Sequence, residues 1–410
     1  GSQISVHSCL FKMFFDVTWF LVVSILVLVA VAFRRYLAAR RLRKESEKLS
    51  SKLTVLLTTS ASESNPSTLL LESVFATFNL VPGLSTCPKI IVCDWPDVDN
   101  DSVRSCHHGR VRSKNLDAYK EYIQKLKALC KEGRDSWSHT ACVVLPHRHG
   151  FGLAVGAGLE SVKTPFVLVV QHDRCFIGPV PLFQLVSVME DHSDEINYVG
   201  FQVNNKSTYR NPDVVAARHG SLKIESKNVN GLHLLPLLMW YDSTHVASVS
   251  YYRSVVVPQM RQGDFIEETF GRAEVEDIVK HGMEAHRKYG NFLLVDSEHS
   301  NGYVIAHLEI LRSKGPERHL KEDYGLAEIC RVRRILRDRL KHTCSDISYL
   351  KQDKQLRQRI GLLKRLAEIG ALPEALMPNL SEVLSLAKAC KIPIPAWREL
   401  VSHRLFVNFQ

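Results

Sequence analysis

Between residues 53 and 173 one pattern recurs: a short, almost uninterrupted apolar run stops on a polar residue, and an amphipathic stretch follows. The apolar runs are LTVLLTTS (53–60), KIIVCDW (89–95), ACVVLP (141–146) and PFVLVVQHD (165–173). The stretches between them, PSTLLLESVFATFNLV (66–81), NLDAYKEYIQKLKALCK (115–131) and HGFGLAVGAGLESV (149–162), carry apolar residues at helical spacing. Strands apolar on both faces must be buried on both faces. The pattern therefore predicts an α/β fold, a mostly parallel sheet sandwiched by helices, with Pro66 at a helix start. Ligands of such sheets gather at the carboxyl ends of the strands. Thr58, Ser60, Asp94, His172 and Asp173 all fall at those ends.

Beyond residue 180 the order loosens. PLFQLVSVMEDH reads as a helix and INYVGFQV as a strand, while the polar stretch 204–233 reads as a mobile or acceptor-facing loop. SVSYYRSVVV is rich in β-formers, GDFIEETFGRAEVEDIVKHG opens a helix, and NFLLVDS is a further strand. After about residue 320 the composition is helical and basic. The expected division is an anchor at 1–36, a polar stem at 37–52, a catalytic domain at 53–318 and a helical region at 319–410.

The anchor is expected because the apolar run 17–33, with the mostly apolar residues before it, reaches the length a helix needs to cross a bilayer. RRYLAARRLRK follows it in place of a small-residue cleavage site, which argues against a removed signal peptide. Because this basic flank lies after the span, the positive-inside rule puts the body in the cytosol. Secretory-pathway enzymes with such an anchor, at the Golgi membrane, usually have the opposite orientation. Both placements, Golgi lumen and cytosolic face of the endoplasmic reticulum, stay open at this point.

A formal net charge of +10 favours anionic partners. Much of that excess sits just after residue 33 and in the C-terminal segment, where a solvated helical face explains it, so no nucleic-acid partner is expected. The ten cysteines include no CxxC pair, which excludes zinc-ribbon and thioredoxin frameworks. No P-loop, HExxH or G-x-S-x-G is present. The spaced glycines of GFGLAVGAGLE precede a strand, and no acid ends a later strand at the distance a dinucleotide fold requires.

Strand 165–173 delivers His172 and Asp173 from the core to the ligand-binding edge, where a hard cation favours the carboxylate. A turn acid capping the next segment is the plain alternative for Asp173. From the first strand through QHD (171–173) the chain resembles GT-A fold glycosyltransferases, nearest to the family 2 type. The likeness rests on TTS (58–60), Asp94, HRHGFGLAVGAG (147–158) and QHD, and extends more loosely to about residue 310. It implies transfer of a sugar from a nucleotide-diphosphate donor to a glycan, glycoprotein or glycolipid acceptor, with Mn2+ or Mg2+ on the diphosphate.

By that resemblance Asp94 contacts the base or ribose, with Thr58, Ser60 and His172 beside the nucleotide, and Asp173 holds the metal. Gln171 stands where the family carries its first carboxylate, which leaves open a degenerate relative that binds or scaffolds. GDFIEETFG (263–271) resembles the family's acceptor-side acidic motif, making Asp264, Glu267 and Glu268 candidates for the base. Glu267 and Glu268 are adjacent on a helical path, so only one should point into the cleft. His307, which ends the apolar stretch of NGYVIAHLE (301–309), is the candidate second metal ligand or a structural histidine. Trp240, Asp242 and His245 could bind the acceptor sugar, or pack in the core with a polar edge.

Overall fold

The computed structural model describes residues 40–62, 64–99, 106–107, 110–176, 178–202, 222–295 and 304–307, with isolated helical positions between 29 and 37 and between 360 and 388. Most of the expected anchor and of the C-terminal helical region lies outside the described residues. Among the described residues no helix is long and apolar enough to cross a membrane.

The four apolar runs form β1 (Leu53–Thr59), β2 (Lys89–Cys93), β3 (Thr140–Val144) and β4 (Phe166–Gln171). They pair in parallel, β2 and β4 flanking β1 and β3 lying outside β2. Five further strands complete a nine-stranded sheet among the described residues. These are β6 (Tyr198–Phe201), β7 (Lys227–Val229), β8 (Leu232–Pro236), β9 (His245–Ser248) and β10 (Asn291–Val295). The order is β7-β8-β10-β6-β9-β4-β1-β2-β3, and only β8 and β9 run against the others. A two-stranded ribbon stands apart: β5 (Arg174–Phe176) pairs antiparallel with β11 (Ile305–His307).

Helices α1 (Leu69–Thr77), α2 (Ser113–Glu132), α3 (Phe151–Leu159), α4 (Leu182–Asp191), α5 (Phe270–His281) and α6 (Met283–Tyr289) accompany the sheet. Alternate residues of β1 face opposite sides. Leu56 lies under Gly158 of α3, while Thr59, on the other face, bonds the Tyr122 hydroxyl of α2 at 3.0 Å. Both faces of the parallel block are therefore covered. Gly158 permits the close approach: a Cβ there would lie 2.6 Å from Val92 Cγ2 and 2.7 Å from Leu56 Cδ1.

Several expectations change. The stem residues 40–52 are helical, as their composition suggested, and the helix packs against the domain. Leu49 is 1% exposed, and Ser46 bonds Thr86 at 2.8 Å, so the helix docks on the domain. Pro66 lies in the turn before α1, not at its first position. Within the expected loop 204–233, residues 203–221 lie outside the described residues, whereas 227–236 form the β7–β8 hairpin. Its turn is Asn230-Gly231, with φ of 51° and 85°, the two-residue geometry that matches strand twist. The β-rich run 248–257 is strand only to Ser248. The Ser248 hydroxyl then accepts the Tyr251 N–H and starts a helical segment that continues to Gln259.

Candidate functional site

Parallel register brings the carboxyl ends of β1, β2 and β4 level. Gln171 lies opposite Thr58, the Asp94 N–H donates to Thr59 O at 2.9 Å, and the His172 N–H donates to Thr58 O at 3.1 Å. Thr58, Ser60, Asp94, His172 and Asp173 consequently share one edge. Thr58, Asp94 and Asp173 are each 7% exposed, while Ser60 and His172 are half-buried.

Asp94 is held firmly. Its Oδ1 accepts the His149 N–H at 2.8 Å and its Oδ2 accepts the Gly150 N–H at 2.9 Å, at the N-terminus of α3. Its main-chain carbonyl accepts the Tyr119 hydroxyl at 2.8 Å. Burial raises the Asp94 pKa above the usual carboxylate value, against the lowering pull of the two backbone amides. The expected contact with a nucleoside therefore has to use lone pairs that these amides leave available, and Asp94 fixes the 147–150 turn in addition.

That turn is clasped by the acidic segment. The Gly263 N–H donates to His149 O at 3.0 Å, and Gln262 Nε2 donates to Arg148 O at 2.8 Å. Gly150 and Gly263 have φ of 82° and 86° and face each other; a Cβ on Gly150 would sit 2.7 Å from Gly263 Cα. Asp264, half-buried, follows at once.

Glu267 and Glu268 lie in a 3-10 turn (Ile266–Glu268), and Thr269, with φ −110° and ψ −80°, separates this turn from α5. They precede the helix, where the sequence suggested its first turn. Glu267 is half-buried and Glu268 exposed. The Glu267 N–H donates to Asp242 Oδ2 at 3.3 Å. Asp242, 4% exposed, thereby caps the turn that carries Glu267. Burial, and then the nearby Glu267 charge, hold the Asp242 carboxyl well above its ordinary pKa.

Trp240 and His245 are 1% and 0% exposed. Their rings pack with Tyr198 and Tyr252, at centroid distances of 4.4 Å for Tyr198–Trp240 and 6.0 Å for His245–Tyr252. In this arrangement they present no face to a sugar, because the aromatic cluster that buries them also closes over them. His245 Nδ1 lies 2.6 Å from Ser243 O, which fixes the proton there, and burial pushes its pKa down to about 3. Asp242 is the one residue of this trio that reaches the edge.

Glu274 of α5 was not singled out in the sequence. It is fully buried; its Oε1 accepts Asn291 Nδ2 at 2.7 Å, and burial raises its pKa to about 8. Only its place on the inward side of an amphipathic helix could have flagged it.

At the QHD turn, Asp173 Oδ1 lies 3.8 Å from Arg174 Nε. The ribbon pairs His307 with Arg174, so the His307 backbone stands one residue away in register from Asp173. Among the described residues no group of three His, Cys, Asp or Glu side chains could hold a metal ion. With Asp173 as the carboxylate at this turn, a cation here would have to take most of its oxygens from a diphosphate and water.

No protein-family model matches this chain. No curated protein matches it either. Comparison with solved structures finds TarS of S. aureus. The crystal structure of TarS 1–349 in complex with UDP-GlcNAc is 12% identical, covering 83% of this chain and 82% of that one at a TM-score of 0.34. The TarS 1–349 complex with UDP is 13% identical, covering 85% and 90% at 0.33. A longer TarS structure is 14% identical and covers 84% of this chain and 54% of that one, also at 0.33. At such TM-scores the likeness carries no functional argument.

Proposed function

We propose that this chain is a glycosyltransferase that moves a sugar from a nucleotide-diphosphate donor to a hydroxyl of a glycan, glycoprotein or glycolipid. The observation that carries this reading is a continuous run of contacts around the carboxyl edge of β2, β1 and β4. Asp94 holds the His149-Gly150 turn, that turn clasps Gly263, the segment from Gly263 leads to Glu267, and Glu267 bonds Asp242. The Asp242 carbonyl accepts Gln171 Nε2, and Gln171 lies two residues before Asp173. A carboxylate suited to a cation and a carboxylate suited to a base thus belong to one rigid frame.

Each residue has a task in this reading. The Asp94-braced turn and the Thr58 and Ser60 hydroxyls hold the nucleoside. Asp173 and His307 would hold Mn2+ or Mg2+, and His172 would lie beside the nucleotide. When bound, that cation neutralises the departing diphosphate. Glu267 accepts the proton of the attacking hydroxyl, and Asp242 keeps the Glu267 turn in place. Attack from the face opposite the leaving group gives inversion.

The apolar run 17–33 supports a membrane anchor, with the Golgi lumen as the proposed compartment. Protease protection in sealed microsomes checks this; digestion of the body from outside would instead favour the cytosolic face of the endoplasmic reticulum.

The enzymatic reading is tested by incubating the protein with uridine and guanosine diphosphate sugars, with Mn2+, with Mg2+ and with EDTA. At least one donor should be hydrolysed or transferred, and EDTA should stop it. A protein that binds and turns over none of them is a scaffold, and the enzymatic reading fails.

A further inference from the structure

Gln171 occupies the place where glycosyltransferases of the resembling family carry a carboxylate, and its side chain already has partners that suit an amide and not an acid. Its Nε2 donates to the main-chain carbonyl of Asp242 at 2.8 Å, and its Oε1 accepts Arg174 Nε at 3.2 Å. A carboxylate there would have no proton for the Asp242 carbonyl and would set two acceptors against each other. The same Arg174 Nε lies 3.8 Å from Asp173 Oδ1, and Asp242 Oδ2 accepts the Glu267 N–H at 3.3 Å. One polar chain therefore runs from Asp173 through Arg174, Gln171 and Asp242 to Glu267.

We propose that Gln171 is a positioning residue, a strut that sets the donor-side carboxylate Asp173 against the acceptor-side carboxylate Glu267, and not the remnant of a metal ligand. The proposal rests on the glycosyltransferase reading and specifies how its two halves are held in register. The strut's anchorage suits the role. Asp242 is buried and Arg174 is 7% exposed, so neither end can drift without disturbing the core. Gln171 itself is the last residue of β4 and pairs in register with Thr58 of β1. A small change in the separation of reacting groups has a large kinetic effect, because the attacking oxygen and the departing diphosphate must lie in line.

The test compares wild type with Gln171→Glu, which swaps the amide donor for a carboxylate, and Gln171→Met, which keeps the length and removes both polar ends. Three quantities are measured: Mn2+ binding in the presence of UDP by calorimetry, kcat and donor KM with the donor that wild type accepts, and the melting temperature. A strut predicts that both variants lose kcat, about 10- to 100-fold. Donor KM and the Mn2+ binding midpoint should stay near wild type.

Tighter Mn2+ binding by Gln171→Glu, with equal or faster turnover, would make position 171 a weakened ligand site and overturn the proposal. Wild-type kcat in Gln171→Met would overturn it too. If Gln171→Glu folds poorly, Gln171→Met supplies the same comparison without the added charge. If wild type turns over no donor, the glycosyltransferase reading fails and takes the strut with it, whereas turnover by wild type with tighter Mn2+ binding by Gln171→Glu overturns the strut alone.

Discussion

Asp94 and Asp173 leave the two strands that flank β1 in the parallel block and are equally buried, yet their surroundings differ. Asp94 is fixed by two backbone amides, Asp173 by the approach of Arg174 and the end of the ribbon. Removing the Asp173 charge should therefore spare the frame and, on the proposed function, take away the carboxylate that would hold the cation. Asp173→Asn is expected to lower donor turnover about 100-fold or more, with an unchanged far-ultraviolet spectrum. Turnover near wild type would mean the cation sits elsewhere.

Glu274 gives a stability prediction at the same scale. Its folded pKa of about 8 lies above the ordinary 4.5, so the folded protein holds this proton more tightly than the unfolded chain does. The stabilisation is complete below the ordinary value and is lost as pH rises through the folded one. Glu274→Gln keeps the shape without the titration. Between pH 5 and pH 8.5 the wild-type melting temperature should fall relative to the variant's, a difference read by calorimetry; parallel curves would refute it.

Elements explain which features the sequence disclosed. The four apolar runs, their helices and the polar residues at the strand ends follow from hydrophobic periodicity, and each is where the local pattern put it. The Asn230-Gly231 hairpin was also written locally, as an Asn-Gly turn between short strands, but the polar composition around it read as a loop. The run after Ser248 reads as strand by propensity, and the packing of Tyr251 and Tyr252 in the core overrides that preference.

Roles that depend on distant contacts left no local mark. Asp242 capping the Glu267 turn joins residues 25 apart, Gln171 reaching the Asp242 carbonyl joins residues 71 apart, and the inward turn of Trp240 and His245 is set by the aromatic cluster around them. Two glycines connect element packing to the site. Gly158 lets α3 lie against β1 and β2; Gly158→Ala should cost about 1–3 kcal/mol in urea unfolding, because the added methyl meets branched side chains already at contact. Gly150 needs both its positive φ and the missing Cβ, so Gly150→Ala should loosen the clasp on the 260–264 segment. Its turnover should fall further than its stability, measured by kinetics and urea unfolding side by side.

At the scale of the whole molecule, the sheet is two blocks joined where β9 inserts antiparallel between β4 and β6. The parallel block supplies Asp94 and Asp173, and residues before and after β9 supply Asp242 and Glu267. A donor seated across this junction would bind only the folded arrangement, so it must raise stability by mass action, by about 2.7 kcal/mol at a free concentration 100 times its Kd. UDP alone should raise the melting temperature by its nucleoside contacts, and UDP with Mn2+ should raise it further. Asp173→Asn should keep the first increment and lose the second, since only the diphosphate-held cation depends on that carboxylate. Asp94→Asn should act in reverse order: the His149 and Gly150 N–H groups each use a different carboxylate oxygen, and in the amide one of these becomes an NH2 donor facing an N–H, so the turn loosens and the UDP increment itself shrinks. Thermal shifts that respond identically to the two substitutions would mean that nucleotide and cation do not divide the edge of the sheet between β2 and β4 in this way.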